Sequence, residues 1–276
     1  MDIQLYISPR KQQLKDEYER LQRVYVNLVA RRDELLLQER PQLEAVYMEK
    51  VGQLLYEELC LQYDIALLKL ERDLYQSYIN RGEQPVEEVV EEQVKQTSQN
   101  FNENIHREEE KIKQAKAYQE QHTEENSKQK EADKIELKKL YKRLVLRLHP
   151  DLHPEQTEWE RELFLRVQEA YREENLEKLR QLEEELHAGT PFTSMESETI
   201  EDWEERIEKL KEQIAAIREE IKQIEKAFPF TYREKIYDQE WVSAKQEELR
   251  VRIERLQKEK ERLEKIVELM KEQRNG

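Results

Sequence analysis

The tripeptide His149-Pro150-Asp151, followed at once by Leu152-His153-Pro154, holds the side chains best suited to chemistry. An imidazole and a carboxylate this close could ligate a metal, move a proton, or bond the charged groups of a partner. His149, Asp151 and His153 offer metal-ligand types within five residues, but Pro150 and Pro154 constrain the backbone between them. No further His or Cys pattern completes a closed zinc site. His106, His122 and His187 stand isolated among charges and read as surface side chains. Nor is there a glycine-rich phosphate loop, and the many carboxylates are the solvated faces expected of charged helices. No metal, cofactor or catalytic residue is therefore assigned, and recognition is the chemistry left. Asp151, held by proline geometry, can accept a charge-assisted hydrogen bond from a partner arginine, and His149 offers a donor and an acceptor beside it.

Two helices must hold this turn. Before it, Leu137, Tyr141, Leu144 and Leu148 fall on one stripe by steps of four, three and four, with Leu140 at its edge. The other surface carries Lys138, Lys139, Lys142, Arg143 and Arg147, with no acid from 138 to 148. Pro150 stops the helix and restricts His149 to extended backbone, so His149 and Asp151 should be displayed on a turn. Thr157-Glu158-Trp159-Glu160 then supplies the S/T-x-x-E capping box of a new helix, with Trp159, Leu163, Val167 and Tyr171 along one side. The two apolar stripes predict an antiparallel hairpin.

The rest of the chain reads as long helices. It has only 4 Gly and 7 Pro in 276 residues, and 40% of it is Asp, Glu, Lys or Arg. With 37% apolar residues, narrow seams between elongated helices fit better than one thick core. The first helix should start after Ser8-Pro9 and carry a heptad seam through Leu14, Tyr18, Leu21, Tyr25, Leu28 and Leu35, with Arg32 in one core slot. Pro41 should break or kink it, after which Tyr47, Val51, Leu54, Leu61, Ile65, Leu68, Tyr75 and Ile79 continue the pattern to Gly82. A third long helix follows Pro85, and residues 119–134 offer almost nothing to bury. After a linker at 188–198, Trp203, Ile207, Leu210, Ile214, Ile217, Ile221, Ile224 and Phe228 form a second seam behind Thr199 as N-cap. Leu249, Ile253, Leu256, Leu263, Val267 and Met270 form a third, with Lys260 in a core slot. An aromatic-rich stretch joins these two, so an antiparallel hairpin is expected, with closure in a homodimer as the alternative that periodicity leaves open.

The net charge of −15 argues against general affinity for nucleic acid or an anionic membrane surface, although the basic helix is a local inversion that an acidic partner could read. A single cysteine, Cys60, excludes an intrachain disulfide and reads as a small buried hydrophobe. No signal-type segment opens the chain and no apolar run is long enough to span a membrane, so a cytoplasmic protein is expected.

LYKRLVLRLHPD followed by FLRVQEAY resembles the second helix, HPD signature and third helix of the J-domain family, the DnaJ-type co-chaperones. The resemblance implies that His149, Pro150 and Asp151 trigger ATP hydrolysis in a DnaK-type chaperone of the 70 kDa heat-shock class. It implies further that Lys138, Lys139, Lys142, Arg143 and Arg147 form the docking face, and that Tyr141, Leu144, Leu148, Phe164, Val167 and Tyr171 form the hairpin core. J-domains normally have a first helix some two dozen residues before HPD, where this chain reads HTEENSKQ with no apolar face. Their fourth helix is also missing as such. A bare hairpin buries too little to stand alone. Residues 85–118 or 10–81 must therefore cover it, and such a cover could obstruct the partner.

The expected architecture is all-α: an N-terminal helical hairpin over 1–82, a connecting helix over 83–131, a J-like segment over 132–188 and a C-terminal coiled-coil hairpin over 189–276. The layout is similar to bacterial coiled-coil proteins. The function expected from it is partner binding without chemistry of its own, with a client protein on the coiled arms. The alternative is a scaffold in which the J-like hairpin is only a packing unit.

Overall fold

A computed structural model describes residues 8–121, 127–189 and 199–272. Its regular elements are all helical: α1 (Pro9–Glu34), a π segment (Leu35–Glu39), α2 (Arg40–Tyr47), a second π segment (Met48–Gly52), α3 (Gln53–Arg81), α4 (Glu87–Gln121), α5 (Ser127–Leu148), α6 (Glu158–Arg172), α7 (Leu176–Gly189), α8 (Ile200–Lys226) and α9 (Gln239–Glu272). Short 3-10 turns at Phe230–Tyr232 and Lys235–Tyr237 lie between the last two. Residues 190–198 of the linker expected at 188–198, residues 122–126 of the charged stretch, and with them His122, lie outside the described residues; Ala188 and Gly189 belong to α7.

Local signals in the sequence set the helix ends. The Ser8 side chain accepts from the Lys11 amide, with Pro9 opening α1. Thr157 and Thr199 head capping boxes with Glu160 and Asp202. Gly82 ends α3 at φ 66°, a left-handed conformation that glycine adopts without a Cβ penalty.

The chain divides into two compact units, residues 1–41 with 124–231 and residues 42–123 with 232–276. In the first, α1 pairs with α8, with Arg10 on Glu204, Glu17 on Lys211 and Arg32 on Glu220. The numbers ascend together, so the two helices run parallel. In the second unit α3 pairs with α9 through Glu58–Arg252, Asp64–Lys260 and Glu71–Lys271, again in parallel. The exposed pairs among these, Arg10–Glu204 and Glu17–Lys211, fix register more than stability, at about 0–1 kcal/mol each. The apolar seams carry the energy, with each fully buried aliphatic side chain worth about 1.5–3 kcal/mol. Trp203, Ile207, Leu210, Ile214 and Ile217 are buried on α8, and Leu249, Ile253, Leu263 and Val267 on α9.

Three expectations are corrected. The seams expected to close on each other as a C-terminal hairpin over 189–276 are buried elsewhere: α8 packs against α1 and α9 against α3, each within its own unit. Pro41, expected to break or kink the helices of an N-terminal hairpin over 1–82, lies inside α2 directly behind the first π segment, where the Arg40 amide reaches back to the Leu35 carbonyl. The wider π turn accommodates a ring that would clash with a regular helix. Cys60 is half-buried, not buried. Of the core-slot charges, Lys260 donates to Asp64 at 2.7 Å, and Arg32 pairs with Asp33 at 2.8 Å. The aromatic tip packs locally in the second unit, where the Tyr232 ring lies 5.2 Å from Tyr47 and 5.5 Å from Trp241.

The J-like hairpin sits in the first unit. α5 and α6 run antiparallel, with Tyr141 stacked on Tyr171 at one end and His149 edge-on to Phe164 at the other. α7 returns beside α5, tied by Glu136–Arg180 and Arg143–Glu183. α1 lies antiparallel across α5, placing Tyr25 at His149, Asp33 at Tyr141 and Glu34 at Lys138. α1 therefore covers the hairpin that its own segment leaves open, and Leu14, Tyr18, Tyr25, Val26, Val29 and Ala30 enter one core with α5, α6, α7 and α8.

Candidate functional site

α5 forms because Leu137, Leu140, Tyr141, Leu144, Val145 and Leu148 recur at helical spacing, and all six are buried. It ends at Leu148, one residue before the position that Pro150 restricts. The turn that follows is bonded to itself. The His149 amide still donates to Val145, the amides of Leu152 and His153 both donate to the His149 carbonyl at 3.0 Å, and the Gln156 side-chain amide donates to the Leu148 carbonyl. Asp151 donates its amide to Nδ1 of His149 at 3.1 Å, and Nε2 of His153 donates to the Leu146 carbonyl at 2.9 Å.

His149 is 8% exposed, whereas Pro150 and Asp151 are exposed. The imidazole is held edge-on between the rings of Tyr25, at 5.2 Å, and Phe164, at 5.4 Å. The Tyr25 hydroxyl donates to Oδ2 of Asp151 at 2.5 Å and lies 3.3 Å from Nδ1 of His149. The cover foreseen from the missing first helix is therefore real but partial: α1 takes the histidine and leaves the proline and the aspartate facing solvent.

Burial drives the His149 pKa below the ordinary value, more strongly than the neighbouring Asp151 carboxylate raises it. Burial and the bond to Asp151 push the Tyr25 hydroxyl upward, so it stays a donor. Because Nδ1 accepts the Asp151 amide, protonating it breaks that bond. The folded chain thus resists a proton that the unfolded chain accepts near 6.5. The contribution of His149 to stability is complete above about pH 6.5 and is lost as the pH falls from there through its depressed folded value. Denaturant titrations between pH 7.5 and 5 should show a steeper loss for the wild type than for His149→Gln, and parallel curves would refute this.

The positions expected for the basic face are divided. Lys138 donates to Glu34 of α1 at 2.5 Å, Arg143 makes a two-pronged pair with Glu183 of α7 at 2.9 and 3.1 Å, and an Arg147 nitrogen lies 3.3 Å from Nδ1 of His187. Lys139 is exposed, Lys142 is half-buried, and neither makes an ion pair among the described residues. The positions expected as core, Tyr141, Leu144, Leu148, Phe164, Val167 and Tyr171, are all buried. The Tyr141 hydroxyl donates to the buried Asp33 at 2.6 Å. Among the described residues no three His, Cys, Asp or Glu side chains stand together as a metal site.

One comparison with known families falls on this hairpin. Residues 127–181 match the family model of the DnaJ domain. The matched span runs from the start of α5 through the turn and α6 into α7. No curated protein and no solved structure matches the chain. J-domains generally partner with chaperones of the 70 kDa heat-shock class, and co-chaperones of this family are generally not enzymes. Here the matching segment packs against α1, a helix from outside the matched span.

Sequence reasoning missed that helix's contributions. Tyr25 read as one more seam residue, and nothing in its spacing points to the turn 124 residues downstream. Gln38, whose side chain donates to the Tyr171 carbonyl at 3.0 Å where α6 ends, gave no signal at all. Asp33 had one: an acid beside a core-slot arginine on a seam asks for a buried partner.

Proposed function

We propose that the J-domain segment docks a DnaK-type chaperone and stimulates its ATPase through the His149-Pro150-Asp151 turn, in a cytoplasmic setting and without chemistry of its own. The observation that carries this reading is a self-bonded turn that exposes Pro150 and Asp151 within a segment matching the DnaJ domain. Asp151 offers a carboxylate to a partner arginine, and Lys139 and Lys142 remain to steer an acidic surface. Such a complex is weak and salt-sensitive. The seams of α8 and α9 are closed by α1 and α3, so a client or a second copy would meet their outer faces. The net charge of −15 disfavours nucleic acid and anionic membranes as partners, and no described helix is long and apolar enough to cross a membrane.

One observation favours the scaffold reading: the chain's own side chains engage Lys138, Arg143 and Arg147 and cover His149. Single-turnover ATP hydrolysis by a DnaK-type chaperone separates the two. The wild-type chain should accelerate it, and His149→Gln and Asp151→Asn should lose that acceleration with helicity retained. Absence of acceleration by the wild type at every salt concentration would leave the scaffold.

A further inference from the structure

A hydroxyl in a hydrophobic core needs a reason, and Tyr25 is fully buried. Phenylalanine would fill the same space in the α1 seam, whereas the tyrosine hydroxyl requires a partner. The partner it finds is the turn, through Oδ2 of Asp151 at 2.5 Å, with Nδ1 of His149 3.3 Å away. We propose that Tyr25 is a positioning residue of the docking site, its hydroxyl fixing the Asp151 carboxylate and its ring fixing His149 in the arrangement that the partner meets.

The proposal rests on the docking reading above and adds to it a residue from outside the matched segment. Asp151 is exposed, and an unrestrained carboxylate on a turn samples several rotamers. The bond from Tyr25 selects one. Among the described residues the other oxygen, Oδ1, accepts no hydrogen bond, so one acceptor is held and one is left for a partner. His149 completes the arrangement from the other side, because its Nδ1 takes the Asp151 amide and its ring is wedged between Tyr25 and Phe164.

The same contact could be a latch, with Tyr25 competing for the carboxylate until α1 swings away. The packing decides against it. Tyr25 shares its core with Leu14, Tyr18, Val26 and Val29 of the same helix, and withdrawing α1 would expose all of them together with the faces of α5 and α8. Tyr25 is a fixed support.

Tyr25→Phe in the full chain tests this, with the purified DnaK-type chaperone and ATP as the probe. The ring is kept, so helicity and the thermal midpoint should stay close to the wild type. Amide exchange at Asp151 should quicken as the turn loosens. The maximal acceleration of hydrolysis should fall roughly tenfold, the size of one hydrogen bond to a charged group. The chaperone concentration giving half the effect should move less than about twofold, because the steering lysines are untouched. Unchanged exchange and unchanged maximal rate would overturn the proposal. A rate above wild type would overturn it too, and would make Tyr25 a competitor. If the wild type itself gives no acceleration, the docking reading fails first, and the control reveals which has failed.

Discussion

Tyr141→Ala should cost the first unit about 4–5 kcal/mol, and Tyr141→Phe about 2. The ring is fully buried and stacked on Tyr171 with centroids 3.9 Å apart and planes 11° from parallel. Its hydroxyl donates to Oδ2 of Asp33, a carboxylate only 4% exposed. Alanine leaves a cavity between α5 and α6 and removes one of the two groups that make the buried charge tolerable, the other being Arg32. Phenylalanine removes the bond alone. Burial and the Asp33 charge raise the Tyr141 pKa, so the donor persists at any pH where the protein is studied. Against a total stability of about 5–15 kcal/mol, the alanine loss is severe. Urea denaturation of both variants measures the difference, and equal midpoints would mean that the ring contributes little.

Val29→Asp should be as damaging, and its damage should appear far from its place in the sequence. Val29 is fully buried on α1, within the core shared with α5, α6 and α8. A carboxylate there loses the burial of an aliphatic group and must be desolvated or protonated, at about 4–5 kcal/mol in all. If α1 completes the J-like hairpin, amide exchange should rise along α6. Asn27→Asp, on the exposed side of the same helix, should change stability by less than about 0.5 kcal/mol. Undisturbed exchange in α6 of the Val29 variant would show that the hairpin stands without α1.

Much of this molecule is legible in its sequence because the signals are local. The caps at Ser8, Thr157 and Thr199 and the stop at Gly82 each depend on a few adjacent residues and stand where expected. The hairpin of α5 and α6 was readable for the same reason, since its stripes and its turn are contiguous. The partners of the long seams were not. A heptad stripe states that a helix has an apolar edge and is silent on what covers it, so Trp203 through Ile224 could not announce a parallel mate near residues 14–35. Proximity favoured α9 as the mate of α8, whereas the seam of α8 is buried on α1. Pro41 misled differently: its penalty is real in a regular helix, but the π segment before it changes the geometry on which that penalty depends. Tyr25 was invisible as a site residue because a tyrosine at a seam position already has an adequate explanation.

The pairing of Tyr25 with His149 spans 124 residues, and this has a consequence for biosynthesis. At about 5–20 residues per second, a ribosome finishes α1 roughly 6–25 s before it finishes the turn that α1 supports, and later still comes α8. Through that interval the apolar edge of the first helix has no mate, a long wait beside helix formation in microseconds. The nascent chain thus displays an unmated apolar edge until its last third is made.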